Sequence, residues 1–245
     1  MKLEYKDIIN KHKNSPALVI GHGVSLNPYI PMIKDYKDKG YILFGCNFWE
    51  AIYKQAPDYW VLASNFNTIQ KFLPKMNACA GNTSVLYADS VDLVDRSWVQ
   101  TNLKADYLGY DQKHFDGLPC YDKICCKQAI PGRLTVQQEV QQYTEYNARY
   151  GSGDTVVLHS IAFSILFGCN PIYILGMDLD YKKGGYANNL VAQIDNVNEL
   201  SNYSSRHVSN CEILRNSAEK IGVDIYSGCE NTELINTVFK VKKPN

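Results

Sequence analysis

Short, almost continuously apolar runs alternate along this chain with helix-forming and turn-forming stretches. Ala17–Gly21 (ALVIG), Tyr41–Cys46 (YILFGC), Tyr59–Ala63 (YWVLA) and Ser84–Tyr87 (SVLY) are each bounded by turn residues. Parallel strands covered by helices on both faces read this way, because neither face meets water. Pro171–Gly176 (PIYILG) and Val223–Ser227 (VDIYS) continue the series, each after a helical stretch that ends in glycine. The pattern predicts an α/β fold: a Rossmann-like, mostly parallel sheet flanked by helices and joined by right-handed crossovers.

Residues 155–180, TVVLHSIAFSILFGCNPIYILGMDLD, carry the most information. They predict a buried helix, a stop at Gly168, a short turn and a strand that ends in Asp178 and Asp180. Two stretches break the alternation. Residues 89–149 contain clustered tyrosines, Pro119, Pro131, the Cys125-Cys126 pair and a glutamine-rich helical segment, and are expected as a cap or an oligomer surface. Residues 182–206 are polar, include Gly184-Gly185 and hold no sustained apolar period, which suits a lid loop. The expectation is a single nucleotide-binding domain over 1–245, with cap 89–149 and lid 182–206.

Composition narrows the classes. A chain of 245 residues can bury a full core. Lysine plus arginine equals aspartate plus glutamate, 25 against 25, so no overall field draws the protein to nucleic acid or to an anionic membrane. The eight cysteines contain no CxxC pair and no companion histidine spacing of a zinc site. Cys46 and Cys169, beside predicted strands, are expected to act as small hydrophobes. There is no signal peptide and no apolar run long enough to span a bilayer, so a reduced, cytoplasmic protein is expected. Lys240-Val241-Lys242-Lys243 is expected as a solvated tail.

The candidate chemistry lies where predicted strands end, since the carboxyl ends of strands in an open α/β sheet face the ligand crevice. Gly21-His22-Gly23-Val24-Ser25-Leu26 follows the first strand directly, where a nucleotide fold places its phosphate turn. Asn47 follows the second strand, at the position where a dinucleotide fingerprint wants an acidic ribose ligand; this argues against NAD. Ser64 and Asn65 follow the third. Neutral polar groups there can bind ribose hydroxyls, a base edge or phosphate, although asparagine in a turn is also common on conformational grounds alone. Gly151-Ser152-Gly153-Asp154 precedes the buried helix. It reads either as an anion seat of free N–H groups or as an ordinary cap built on Ser152 or Asp154.

Asp178 and Asp180 form a DxD that could chelate magnesium; alternatively Asp178 pins a loop through backbone N–H groups while Asp180 is solvated. His159 reads as a satisfied core or interface histidine.

GHGVSL, FGCN, the unit TVVLHSIAFSILFGCNPIYILGMDLDY, Gly185-Tyr186-Ala187 and Arg206-His207, in this order and spacing, resemble the bacterial lipooligosaccharide sialyltransferases. They equally resemble the 6-hydroxymethylpterin diphosphokinase-like superfamily, which also includes candidate flagellin-modifying glycosyltransferases. The first resemblance implies transfer of a sialic acid-like sugar from a CMP-linked donor to a hydroxyl acceptor on a small molecule or glycan. It implies donor contacts at Gly21, Gly23, Ser25, Asn47, Ser64 or Asn65, and Thr155. It implies Tyr186 and Tyr181 on the departing phosphate, His207 as general base, no required cofactor and a homo-oligomer. An imidazole, with its ordinary pKa of ~6.5, suits that task near neutral pH. His22 stands where an asparagine is usual, and its charge is expected to make donor binding depend on pH. The second resemblance implies transfer from ATP to a pterin-like alcohol with magnesium on Asp178 and Asp180. A nucleotide-binding module without catalysis is a third reading.

Overall fold

The computed structural model describes residues 1–62, 66–88, 96–110, 155–179, 187, 207–208, 211–212, 214–216 and 218–245. Among these, eight strands form one sheet, and every pairing in it is parallel. They are β1 (Ala17–Ile20), β2 (Ile42–Cys46), β3 (Tyr59–Leu62), β4 (Ser84–Ala88), β5 (Asp106–Tyr110), β6 (Ile172–Leu175), β7 (Ile225–Ser227) and β8 (Lys240–Val241). The spatial order is β5-β4-β3-β2-β1-β6-β7-β8. The chain thus starts at the centre, winds outward to β5, and returns to the other side of β1 with β6. That reversal makes the β1/β6 junction the switch point of the sheet, where the connections leave in opposite directions and a crevice opens.

The helices are α1 (Tyr5–Ile8), α2 (Ile33–Asp38), α3 (Trp49–Ile52), α4 (Phe66–Ala78), α5 (Arg96–Asn102), α6 (Val156–Leu166) and α7 (Glu233–Asn236). A 3-10 segment, Val24–Met32, joins the first turn to α2 and tolerates Pro28 and Pro31. Residues 207–208, 211–212, 214–216 and 218–220 are helical as well, and form the crossover into β7.

Strand pleating divides the core by residue parity. Val19, Phe44, Val61, Leu86 and Ile174 face α6 and the crossover helix. Leu18, Ile20, Leu43, Trp60, Leu62, Val85, Tyr173 and Leu175 face the opposite layer with Ile69, Phe72 and Met76 of α4. All of α6 is buried, and it lies across β1, β2, β3 and β6. A helix apolar on every side can only be a core element. Its two serines are accommodated because Ser160 and Ser164 donate to the Val156 and Ile161 carbonyls, at 3.0 and 2.7 Å. Gly168, at φ +78°, ends the helix as expected, in the left-handed conformation that glycine adopts without strain.

The six strands read from the apolar runs are present. Two further strands are not apparent in the pattern. β5 lies inside the stretch expected as a cap: residues 96–110 are α5 and a sheet strand, while 111–149 lie outside the described residues, as does the lid 182–206 except Ala187. Leu3 N–H donates to the Tyr107 carbonyl at 2.7 Å and Tyr107 N–H to the Met1 carbonyl at 3.0 Å, so the N-terminal segment covers the outer edge of β5. At the other edge Lys240–Val241 pairs with β7 instead of hanging free in solvent, and Lys242 Nζ sits 4.6 Å from the centre of the Tyr226 ring. Cys46 and Cys169 are buried as expected, and burial pushes both thiols up to about 12. Among the described residues no helix is long and apolar enough to cross a membrane.

Candidate functional site

The carboxyl edge of the sheet is built around a clamp between the turn after β1 and the segment after β6. Gly21 N–H donates to the Leu175 carbonyl and Gly23 N–H to the Gly176 carbonyl, both at 2.8 Å. A Cβ on Gly21 would lie 2.4 Å from the Gly176 carbonyl oxygen and 3.0 Å from Val157 Cγ2 in the first turn of α6. A Cβ on Gly23 would lie 2.5 Å from Asp178 Cγ. Glycine is required at both positions because the two loops and a helix terminus touch there without space for a side chain.

Asp178 closes the clamp. One carboxylate oxygen accepts the Ser25 N–H at 3.0 Å, and the other accepts the Ser25 hydroxyl in a short contact. This is the loop-pinning arrangement, and it employs both oxygens on the turn. Asp180 lies outside the described residues. Among the described residues, no cluster of three or more His, Cys, Asp or Glu side chains could hold a metal ion. Behind the turn, the buried Cys229 thiol donates to the Ser25 carbonyl at 3.6 Å, and burial raises its pKa.

His22 stands between the two glycines. Burial pushes its imidazole down to about 4, outweighing a hydrogen bond to the Cys46 backbone that favours the charged form. Burial thus favours the uncharged ring near neutrality and moves its titration to lower pH. The His22 carbonyl accepts the N–H of Ala187 at 2.7 Å, which holds Ala187 against the turn. Tyr186 itself, with Tyr181, lies outside the described residues, as do Ser64, Asn65, Ser152 and Gly153.

Asn47 follows β2 on the same edge. Its N–H donates to the Val61 carbonyl at 2.9 Å, and its own carbonyl accepts Trp60 Nε1–H at 2.8 Å. These bonds hold the residue at φ +30°, a region that asparagine tolerates better than most residues. Next to it, in the loop that leads from β2 into α3, the large aromatic Phe48 is 38% exposed. Its ring meets Phe72 edge to face at 5.2 Å and approaches His22 at 6.3 Å. Phe48 was not legible as a site residue; the only trace was an aromatic directly after a strand-ending asparagine.

Thr155 is the N-cap of α6, with its hydroxyl accepting the Val157 N–H at 3.4 Å. The cap is therefore one residue beyond Asp154, and Ser152 and Asp154 do not supply it. Because Val157 touches Gly21, this helix start belongs to the same edge as the turn. His207 is 1% exposed and helical, in the stretch that leads into β7. That stretch ends at the amino edge, where Val223 N–H bonds the Ala218 carbonyl and Asp224 N–H bonds Asn170 before β6. Val208, next to His207, packs against the core layer that contains α6. His159 is fully buried within α6.

Comparison with known proteins agrees with this architecture. The chain superimposes on a sialyltransferase, CstII of Campylobacter jejuni in complex with the substrate analogue CMP-3FNeuAc, at a TM-score of 0.55 and 14% identity, covering 93% of this chain and 86% of that one. CstII of the same organism with cytidine-5'-monophosphate gives 0.54 and 14%, over 94% and 85%. A variant of sialyltransferase Cst-II in complex with CMP gives 0.55 and 15%, over 94% and 86%. At this identity the likeness is one of fold. No curated protein matches the sequence. The model of a family described as 6-hydroxymethylpterin diphosphokinase MptE-like matches residues 1–184, a span that contains the glycine turn, Asn47, α6 and the Asp178 clamp. The chain belongs to the 6-hydroxymethylpterin diphosphokinase MptE-like family.

Proposed function

We propose that the protein is a glycosyltransferase that moves a sugar, of the sialic acid type, from a CMP-linked donor to a hydroxyl acceptor. The observation that carries this reading is the carboxyl-edge crevice. A turn with no room for a Cβ abuts the start of α6 and a strand-ending asparagine, in a fold shared with sialyltransferases solved with CMP or a CMP-sugar analogue. The residues expected to contact the donor, Gly21, Gly23, Ser25, Asn47, Ser64, Asn65, Ser152, Gly153 and Thr155, are all uncharged and so add no negative charge beside a nucleotide monophosphate. The N–H groups of Gly21, Gly23, Ser25 and Asn47 are bonded within the fold and contribute the close-fitting shape of the turn.

In this mechanism the acceptor oxygen attacks the anomeric carbon, the bond from that carbon to the phosphate oxygen breaks, and His207 takes the acceptor proton. Tyr181 and Tyr186 donate hydrogen bonds to the phosphate as charge accumulates on it, when such bonds are strongest. His207→Ala is expected to retain CMP binding and lose turnover by ~10²-fold or more, the usual scale of general-base catalysis. Unchanged turnover would sink the assignment of His207 as the base, and CMP binding without turnover in the wild type would favour a module that binds without catalysis.

A second reading, diphosphoryl transfer from ATP to a pterin-like alcohol, is favoured by the family match. A thermal-shift panel of CMP, UDP, GDP, ADP and ATP, each with and without magnesium, separates the two. A ligand at 100 times its dissociation constant adds ~2.7 kcal/mol to stability. The first reading expects a shift with CMP that is indifferent to magnesium. A shift confined to ATP with magnesium would replace it with the second.

A further inference from the structure

We propose that Phe48 is a stacking platform for a planar heteroaromatic ring of the bound substrate, and that Lys71 serves the polar edge of that ring. On the donor side this rests on the CMP-sugar reading, while the chemistry required, a flat π-system carrying ring carbonyls or nitrogens, is shared by a cytosine and a pterin. Three observations point to it. Phe48 is 38% exposed, although the ring-rich layer beneath it is closed, with Phe72, Trp60 and Trp49 each 1% exposed. It lies on the rim of the candidate crevice, one residue after Asn47 and 6.3 Å from the His22 ring in the glycine turn.

The ring is also held in place. Phe72 supports it edge to face with an interplanar angle of 89°. Its backbone is set by α3, for which it is the N-cap residue. A pre-positioned ring stacks a ligand with little loss of conformational freedom, which is how aromatic side chains recognise bases whatever their sequence. Lys71 Nζ stands 5.9 Å from the centre of the same ring. This ammonium, over the ring and on an exposed, flexible side chain, offers three donors suited to ring carbonyl or phosphate oxygens of a ligand that takes its place on the face.

Isothermal titration of CMP, ribose 5-phosphate and 6-hydroxymethylpterin against the wild type and the Phe48→Ala, Phe48→Leu and Phe48→Trp variants tests the platform. Alanine and leucine are expected to weaken whichever ring-bearing ligand binds by ~5- to 150-fold, the range found for losing one stacked base. Tryptophan should restore binding, and ribose 5-phosphate should be unaffected throughout. Leucine keeps most of the packing on Phe72, so a folding defect cannot imitate the result. Loss of pterin affinity in the alanine and leucine variants, with a wild type that ignores CMP, would retain the platform and reject the sugar-donor reading. Equal binding of CMP and pterin by all four proteins, or binding of neither by the wild type, would overturn the platform.

Discussion

The two sides of the crevice are constructed on different principles. On the β1/β6 side the N–H groups of Gly21 and Gly23 bond the β6 segment, and the Asp178 carboxylate is occupied by Ser25. On the β2 side the backbone of Asn47 is equally well held, yet an aromatic ring is left open to solvent beside it. The first side sets a shape that a ligand meets as backbone; the second presents side-chain surface that a ligand can cover. Substitutions on the first side should therefore act on folding and binding together, and substitutions on the second on binding alone.

The sharpest way to break that contrast is Gly21→Ala. Its methyl would press on a backbone carbonyl 2.4 Å away, so a strand end or α6 has to move. The expected loss is about 3 kcal/mol or more, at the upper end for single substitutions, read from the urea midpoint at constant slope. Stability within ~0.5 kcal/mol of wild type would mean that the two loops are not locked together.

Lowering the pH tests the same side through His22. The folded-state pKa of about 4 lies below the ordinary ~6.5, so the unfolded chain binds the proton first as pH falls. This contribution is fully present above pH ~6.5 and is lost progressively down to pH ~4, reaching roughly 3 kcal/mol. His22→Gln should flatten that part of the stability profile in urea titrations between pH 4 and 7. An unchanged profile would show that the imidazole is not what titrates.

Asp178→Asn sharpens the distinction between clamp and metal ligand. Losing charge-assisted acceptance from Ser25 should cost ~1–3 kcal/mol in metal-free buffer, because a partly buried donor is left with a weaker partner. A deficit visible only in the presence of magnesium would assign the carboxylate to the metal instead. The smallest expected effect is on the opposite side: Phe48→Leu should change unfolding free energy by no more than ~0.5 kcal/mol, as is usual for an exposed position. A large loss would turn that ring from a ligand surface into part of the core.

The legible part of the molecule follows from burial. Six strands were readable because parallel strands covered on both faces leave continuous apolar runs. β5 and β8 were not, since DYLGY and KV sit at the two edges of the sheet, where apolar residues are not demanded. The glycine turn and Asp178 could be singled out separately, as features at strand ends. Their joining could not, because Ser25 and Asp178 are 153 positions apart along the chain. The cap of α6 was misplaced for a local reason: Ser152, Asp154 and Thr155 are all good capping residues, and only the path of the chain into the helix selects among them.

By itself the sequence determined the layer architecture, the fully buried helix and the positions at which strands end, because each depends on the spacing of apolar residues and on glycine. The tertiary structure alone decided which strand ends adjoin, that His22 is kept neutral by burial, that Asp178 serves the turn, and that Phe48 faces solvent. Those properties depend on distances and dielectric surroundings set by residues far apart in the chain, and no local pattern encodes them.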